Sequence, residues 1–140
     1  MTEYITQEDI QEFIKYNKHL VRNRNEPFNV DREKFGKIFS EINGEDYLRY
    51  TNKRERIIKK TSFIISSIVW QQPFDEGNKE TALTIGLLFA QRNGFSIDLI
   101  SLKKEIYLLL NNIAFKFEND TSIYTDMEDF LSLNFKESLI

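Results

Sequence analysis

A chain of 140 residues favours one domain, and its 41% hydrophobic and 29% charged content is the mixture of a globular protein able to bury a core. A formal net charge of −3 gives no case for a nucleic-acid coat or a membrane-surface protein, and the lack of cysteine excludes disulfides, thiol catalysis and thiolate zinc sites. The polar, acidic start Met1-Thr2-Glu3-Tyr4 has no signal-peptide core, and no apolar run approaches the roughly 18 residues of a membrane span, so a soluble cytoplasmic protein is the default expectation.

Helical spacing then runs along the chain. Thr6 is placed to cap a first helix, with Glu8 and Asp9 in its opening turn, where negative charge suits the helix dipole. Ile10, Phe13, Ile14, Leu20 and Val21 fall near one face, and residues 22–27 read as a loop. A second helix is predicted over about residues 31–42, with Phe35, Ile38, Phe39 and Ile42 as its stripe and Asn43-Gly44 as its stop. A third segment, about residues 46–60, crowds Lys53, Arg54, Arg56, Lys59 and Lys60 together, the pattern of a solvated helix face. Residues 63–70 are nearly all apolar or small, which fits a central helix buried on several sides or, by pattern alone, a short buried strand; Trp70 reads as core.

A turn follows at residues 73–77. Residues 78–92 predict a helix that is apolar almost all round from Ala82 to Ala90, stopped by Asn93-Gly94. Leu102, Ile106, Leu109, Leu110 and Ile113 mark another helix over about residues 99–115, with a break at Asn119-Asp120. Thr125 and Glu128 form a capping box that opens a last helix. With no internal repeat, no linker and no sustained period-two alternation, the expectation is one all-α domain over residues 1–140, a bundle around a central buried helix pair with at most a small β-hairpin flap.

The turn between the two apolar helices carries the chemistry. Pro73 stiffens the chain and discourages helix at Gln72. Phe74 can plug the core and hold the loop down. Gly77 allows torsions that a side chain forbids, and Asn78 tolerates similar ones while offering an amide. The N–H groups that follow sit at a helix start, where unpaired donors and the dipole attract an anion, and Lys79 adds a positive charge. Glu76 is a hard oxygen ligand beside that anion site, suited to magnesium on a phosphate.

The run Gln72-Pro73-Phe74-Asp75-Glu76-Gly77-Asn78-Lys79-Glu80-Thr81-Ala82 resembles the Fic/Doc motif His-Pro-Phe-x-(Asp/Glu)-Gly-Asn-(Lys)-Arg-Thr-Ala. The likeness continues through Leu87-Leu88-Phe89-Ala90-Gln91-Arg92-Asn93-Gly94, which is similar to the death-on-curing branch, as is the opening Ile5-Thr6-Gln7-Glu8-Asp9-Ile10. The resemblance implies an all-helical fold whose turn cradles a nucleotide and moves AMP, phosphate or a related group onto a protein hydroxyl. It implies a metal at Glu76, with Asp75 as a further candidate, an anion nest at Gly77 and Asn78 flanked by Phe74 and Lys79, and Mg2+ with ATP or another nucleotide. It also implies a target protein or a small antitoxin-like partner, and a flap between the early helices and the motif, so that residues 53–60 would border the site.

Two positions depart from the motif. The base histidine is Gln72 and the phosphate-gripping arginine is Glu80. An amide can orient a hydroxyl but cannot take its proton near neutral pH. The only histidine, His19, lies far outside the motif and reads as a surface residue. Glu80 reads as a first-turn glutamate favouring the dipole or as a built-in repeller of phosphate. The inhibitory pattern Ser/Thr-x-x-x-Glu-(Gly/Asn) of self-inhibited members has its spacing at Thr51 to Glu55, but Arg56 follows. Three readings result: a degenerate binder of nucleotide or anion, an active transferase using Gln72 and metal for positioning, and a non-catalytic module of toxin–antitoxin type.

Overall fold

A computed structural model of the chain describes residues 3–116 and 122–137. Helix α1 spans Gln7–Asn23, and its start is the predicted one: the Thr6 hydroxyl accepts from the Asp9 N–H at 3.1 Å while the Asp9 carboxylate accepts from the Thr6 N–H at 2.9 Å. Helix α2 spans Arg32–Ile42 behind an Asp31 cap, and its predicted stripe is buried.

The third and fourth predicted segments are one helix. A 3-10 turn at Glu45–Arg49 precedes α3, Lys53–Gln71, which Asn52 caps by accepting from the Glu55 N–H at 3.0 Å. No breaker separates Lys60 from Phe63, so the charged and apolar stretches share one rod, and the short-strand option falls away. Lys53 is exposed, but the rest of the basic cluster is not a solvated face. Arg56 Nη2 donates to Glu3 Oε2 at 2.9 Å, Lys59 pairs with Glu128 at 2.8 Å, and Lys60 is 7% exposed with its Nζ 3.5 Å from Glu3. Arg54 donates to the Ser132 and Phe135 carbonyls at 2.9 and 3.1 Å, closing the end of the last helix.

Helix α4 spans Asn78–Arg92 and packs along α3, which also meets α2 and the two helices that follow, α5 at Leu99–Ala114 and α6 at Ser122–Asn134. Close approach of the central pair needs Gly86, because a Cβ there would lie 2.3 Å from Ile65 Cγ1. Two small buried polar residues of α3 find partners on α6: Ser62 donates to the Tyr124 carbonyl at 2.8 Å and Ser66 to the Ile123 carbonyl at 3.1 Å. α6 therefore begins before Thr125, which stands inside the helix instead of capping it. The break expected at Asn119-Asp120 lies outside the described residues.

The small β element is a two-stranded antiparallel sheet, β1 at Phe95–Ser96 against β2 at Lys136–Glu137, so its strands come from distant parts of the chain. Trp70 is half-buried and donates from Nε1 to the Lys116 carbonyl at 3.1 Å. Among the described residues no helix is long and apolar enough to cross a membrane.

Candidate functional site

The α3–α4 connection is fixed from both ends. Gln72 terminates α3 in the left-handed region, φ 50° and ψ 61°, with its N–H donating to the Ile68 carbonyl at 3.0 Å. The proline that follows disfavours helical torsions at Gln72, which leaves a glutamine where glycine is the usual occupant. Phe74 is 2% exposed and packs edge-on to Phe35 at 5.0 Å, the plug expected of it. The segment before α2 straps the loop: the Asp31 N–H donates to the Pro73 carbonyl at 2.8 Å, the Asp75 N–H donates to the Asn29 carbonyl at 3.1 Å, and Val30 bridges Phe74.

Asn78 closes the loop on itself. Its Oδ1 accepts from the Phe74 N–H at 3.0 Å and its Nδ2 donates to the Phe74 carbonyl at 2.7 Å. The amide that sequence reasoning offered to an anion is thus engaged in holding the turn, and Asn78 adds its main-chain N–H at the helix start.

Gly77 caps α4 at φ 76° and ψ 19°, and it presses on α1 as well. A Cβ would lie 3.1 Å from Asn17 Nδ2 and 3.2 Å from both Leu20 Cδ2 and Val21 Cγ1, so torsion and contact both call for glycine. Asn17, 1% exposed, donates from Nδ2 to the Glu76 carbonyl at 2.9 Å and to Thr81 Oγ1 at 3.0 Å. This residue was missed in the sequence, although its signal was there. The buried stripe of Phe13, Ile14 and Val21 runs through position 17, so an asparagine there is buried and needs partners.

A glycine cap gives the first N–H groups of α4 no side-chain acceptor, and a helix start has none of its own. Asn78, Lys79 and Glu80 line a cleft of about 430 Å³ together with Gln72, Asp75 and Glu76 on one side and Arg24 and Glu26 on the other. The helix start therefore opens to solvent, as the sequence reading requires. Asp75 and Glu76 are exposed, and among the described residues no three His, Asp or Glu side chains are grouped to hold a metal ion. Magnesium commonly takes one or two carboxylates and completes its shell with phosphate and water, so this pair fits that mode and not a cage of protein ligands.

The charges around the cleft are not disposed as the sequence suggests. Lys79 Nζ lies 6.0 Å from the centre of the Phe115 ring. Glu80 accepts from Arg24 Nη1 at 3.0 Å, and Arg24 Nε donates to Glu26. Those contacts, the Glu80 hydrogen bond first, hold the Arg24 pKa above its ordinary value. The Glu80 carboxylate is thereby paired with a guanidinium from the end of α1, which its neighbours in sequence gave no means of seeing. Three other positions weighed in the sequence lie outside the cleft, His19 as a surface residue in keeping with its reading. His19 is exposed, with Nε2 3.2 Å from Asn23 Nδ2; residues 53–60 do not line it; and Glu55 sits in the first turn of α3.

No curated protein and no solved structure matches the chain. The model of the Fic/DOC family matches residues 4–90, a span that runs from just before α1 through the turn and most of α4. The matched span exceeds half of the 140 residues and contains the whole cleft, and on that ground the chain belongs to the Fic/DOC family.

Proposed function

We propose that this chain keeps an oxyanion-binding turn at the start of α4, suited to the phosphates of a nucleotide with Mg2+, and has lost efficient transfer of AMP or phosphate to protein hydroxyls. Family membership supplies the class, a protein-modifying or toxin-like role. The observation that carries the finer reading is Gln72. It stands in the cleft wall at the end of α3, where an incoming alcohol would have to be deprotonated, and its amide has no basic lone pair for that proton. Loss of a general base forfeits about 10²–10⁴ in rate. Bound magnesium would neutralise phosphate charge, with Glu76 and Asp75 as the residues placed to hold it.

Glu80 weighs less than its sign suggests. An unanswered like charge at about 4 Å costs roughly 4 kcal/mol at an effective dielectric near 20. Arg24 Nη1 lies 3.0 Å from Glu80 Oε1 and cancels part of that cost. The test is incubation of the purified chain with labelled ATP and other nucleotides in cell lysate. Binding without robust target labelling is expected, and robust labelling overturns the loss of transfer. Gln72→His is expected to raise labelling by about 10²-fold or more. If instead the wild type labels targets and Gln72→Ala abolishes it, the active reading, with glutamine positioning the hydroxyl, is the correct one.

A second reading has its own observation. Beside Glu80 an apolar groove of about 460 Å³ runs along α4, with Tyr16, Leu20, Leu87, Leu88 and Tyr107 in its walls. A small antitoxin-like protein presenting an amphipathic helix suits such a groove. Co-purification of a short helical polypeptide that leaves on Leu87→Asp substitution would favour a non-catalytic interaction module.

A further inference from the structure

If the cleft takes phosphates, α4 gives it one cation, Lys79, whose Nζ lies 6.0 Å from the centre of the Phe115 ring, and the next residue of that helix is an acid. Arg24 stands at the C-terminal cap of α1, about two helical turns beyond Asn17. The helix whose Asn17 ties down the loop therefore also delivers a guanidinium to the cleft. Two carboxylates fix that guanidinium, Glu80 through Nη1 and Glu26 through Nε. A guanidinium has five N–H donors, and Nη2 has no partner among the described residues. What remains is a planar donor edge, always charged, held in place beside the Gly77–Glu80 main chain.

We propose that Arg24 is the phosphate-contacting side chain of this cleft, delivered from the end of α1 in place of a residue of α4, and that Glu80 is the positioning residue that aims it. The proposal rests on the reading that the cleft takes phosphates. An exposed ion pair adds little to stability, whereas holding a flexible arginine in one rotamer lowers the entropy lost when an oxyanion binds. Glu80 then acts on phosphate with two opposite signs, as a like charge and as the holder of the opposite one. The holder role dominates because it sets where the forked donors stand.

The experiment is titration calorimetry of the full chain with ATP and Mg2+, and with inorganic tripolyphosphate, at fixed ionic strength. Arg24→Gln is expected to weaken both probes by about tenfold or more, since charged hydrogen bonds are lost. Arg24→Lys should also weaken them, because an ammonium lacks the fork. Glu80→Gln should weaken binding by roughly threefold, where removal of a mere repeller would strengthen it. Thermal melts separate these effects from misfolding. Wild-type binding with Arg24→Gln or Arg24→Lys unchanged, or Glu80→Gln binding more tightly, overturns the inference and leaves the function above standing. Absence of wild-type binding to either probe sinks that function first, and this inference with it.

Discussion

The middle of the α3–α4 pair and the turn that joins its two helices are built on opposite principles. In the middle, Ile64, Ile65, Ile68, Ala82, Ile85 and Phe89 are buried to 1% exposure or less, and Gly86 lets the backbones approach. That contact is held by apolar area and close packing, which are non-directional and spread over many atoms. In the turn, Gln72 and Gly77 are left-handed and a few directional bonds set the path, from Asn17, Asn78 and the Asn29–Asp31 strap. Buried area specifies that two helices meet. Hydrogen bonds and torsions specify how the chain passes between them, and there single atoms decide the outcome.

The sharpest way to break this comparison starts in the middle. Phe89→Ala should lower stability by about 3–5 kcal/mol in urea titration, through lost area and a cavity. Phosphate binding should fall only as the folded fraction does, and a separate loss of affinity in the folded protein would erase the division between the regions. Gly77→Ala comes next, at about 2 kcal/mol, because it places a Cβ at φ 76° against Asn17, Leu20 and Val21. Gly36→Ala in α2, with open space around its Cβ, is the control and should be neutral or mildly stabilising. Equal losses from the two would refute the assignment of strain to the turn.

Asn17→Ala should cost about 1–2 kcal/mol and speed amide exchange at residues 78–81, since it strands the Glu76 carbonyl and the Thr81 hydroxyl. Uniform exchange changes across α4 would instead make Asn17 a general packing residue. Gln72→Gly should raise stability by about 1 kcal/mol, by relieving the left-handed torsion of a residue with a Cβ. The smallest effect lies at the far end of α3. Arg56 holds the Glu3 carboxyl below its ordinary value of 4.5, so this pair stabilises fully above that pH and the contribution is lost as pH falls through the lower folded value. Glu3→Gln should therefore cost about 1 kcal/mol or less at neutral pH and progressively less on acidification, with binding at the turn untouched.

Much of the fold was legible from local signals. Thr6 and Asp31 cap where their side chains can reach back to a helix start, and Gly94, with φ 96°, follows the end of α4. The errors came from reading charge as exposure. Residues 53–60 were separated from the apolar stretch behind them, yet Arg54, Arg56 and Lys60 bind partners from both ends of the chain. Thr125 carried a capping pattern inside a helix whose first carbonyls are taken by Ser62 and Ser66 of α3, a pairing between residues about 60 positions apart that no local window contains. In the site, Gln72, Phe74 and the Gly77 cap stand where their neighbours in sequence put them.

What the sequence determined by itself was everything that adjacent residues can dictate: a rod ended by Pro73, a bend through Gly77, an open helix start, and an amide side chain at position 72. Only tertiary structure decided how that bend is furnished. Asn17 and Arg24 enter it from α1, more than fifty residues earlier, and they turn a lone acid at Glu80 into half of an ion pair. Torsional preference acts over one or two residues, whereas a charge is answered by whatever the packed chain brings within a few ångströms.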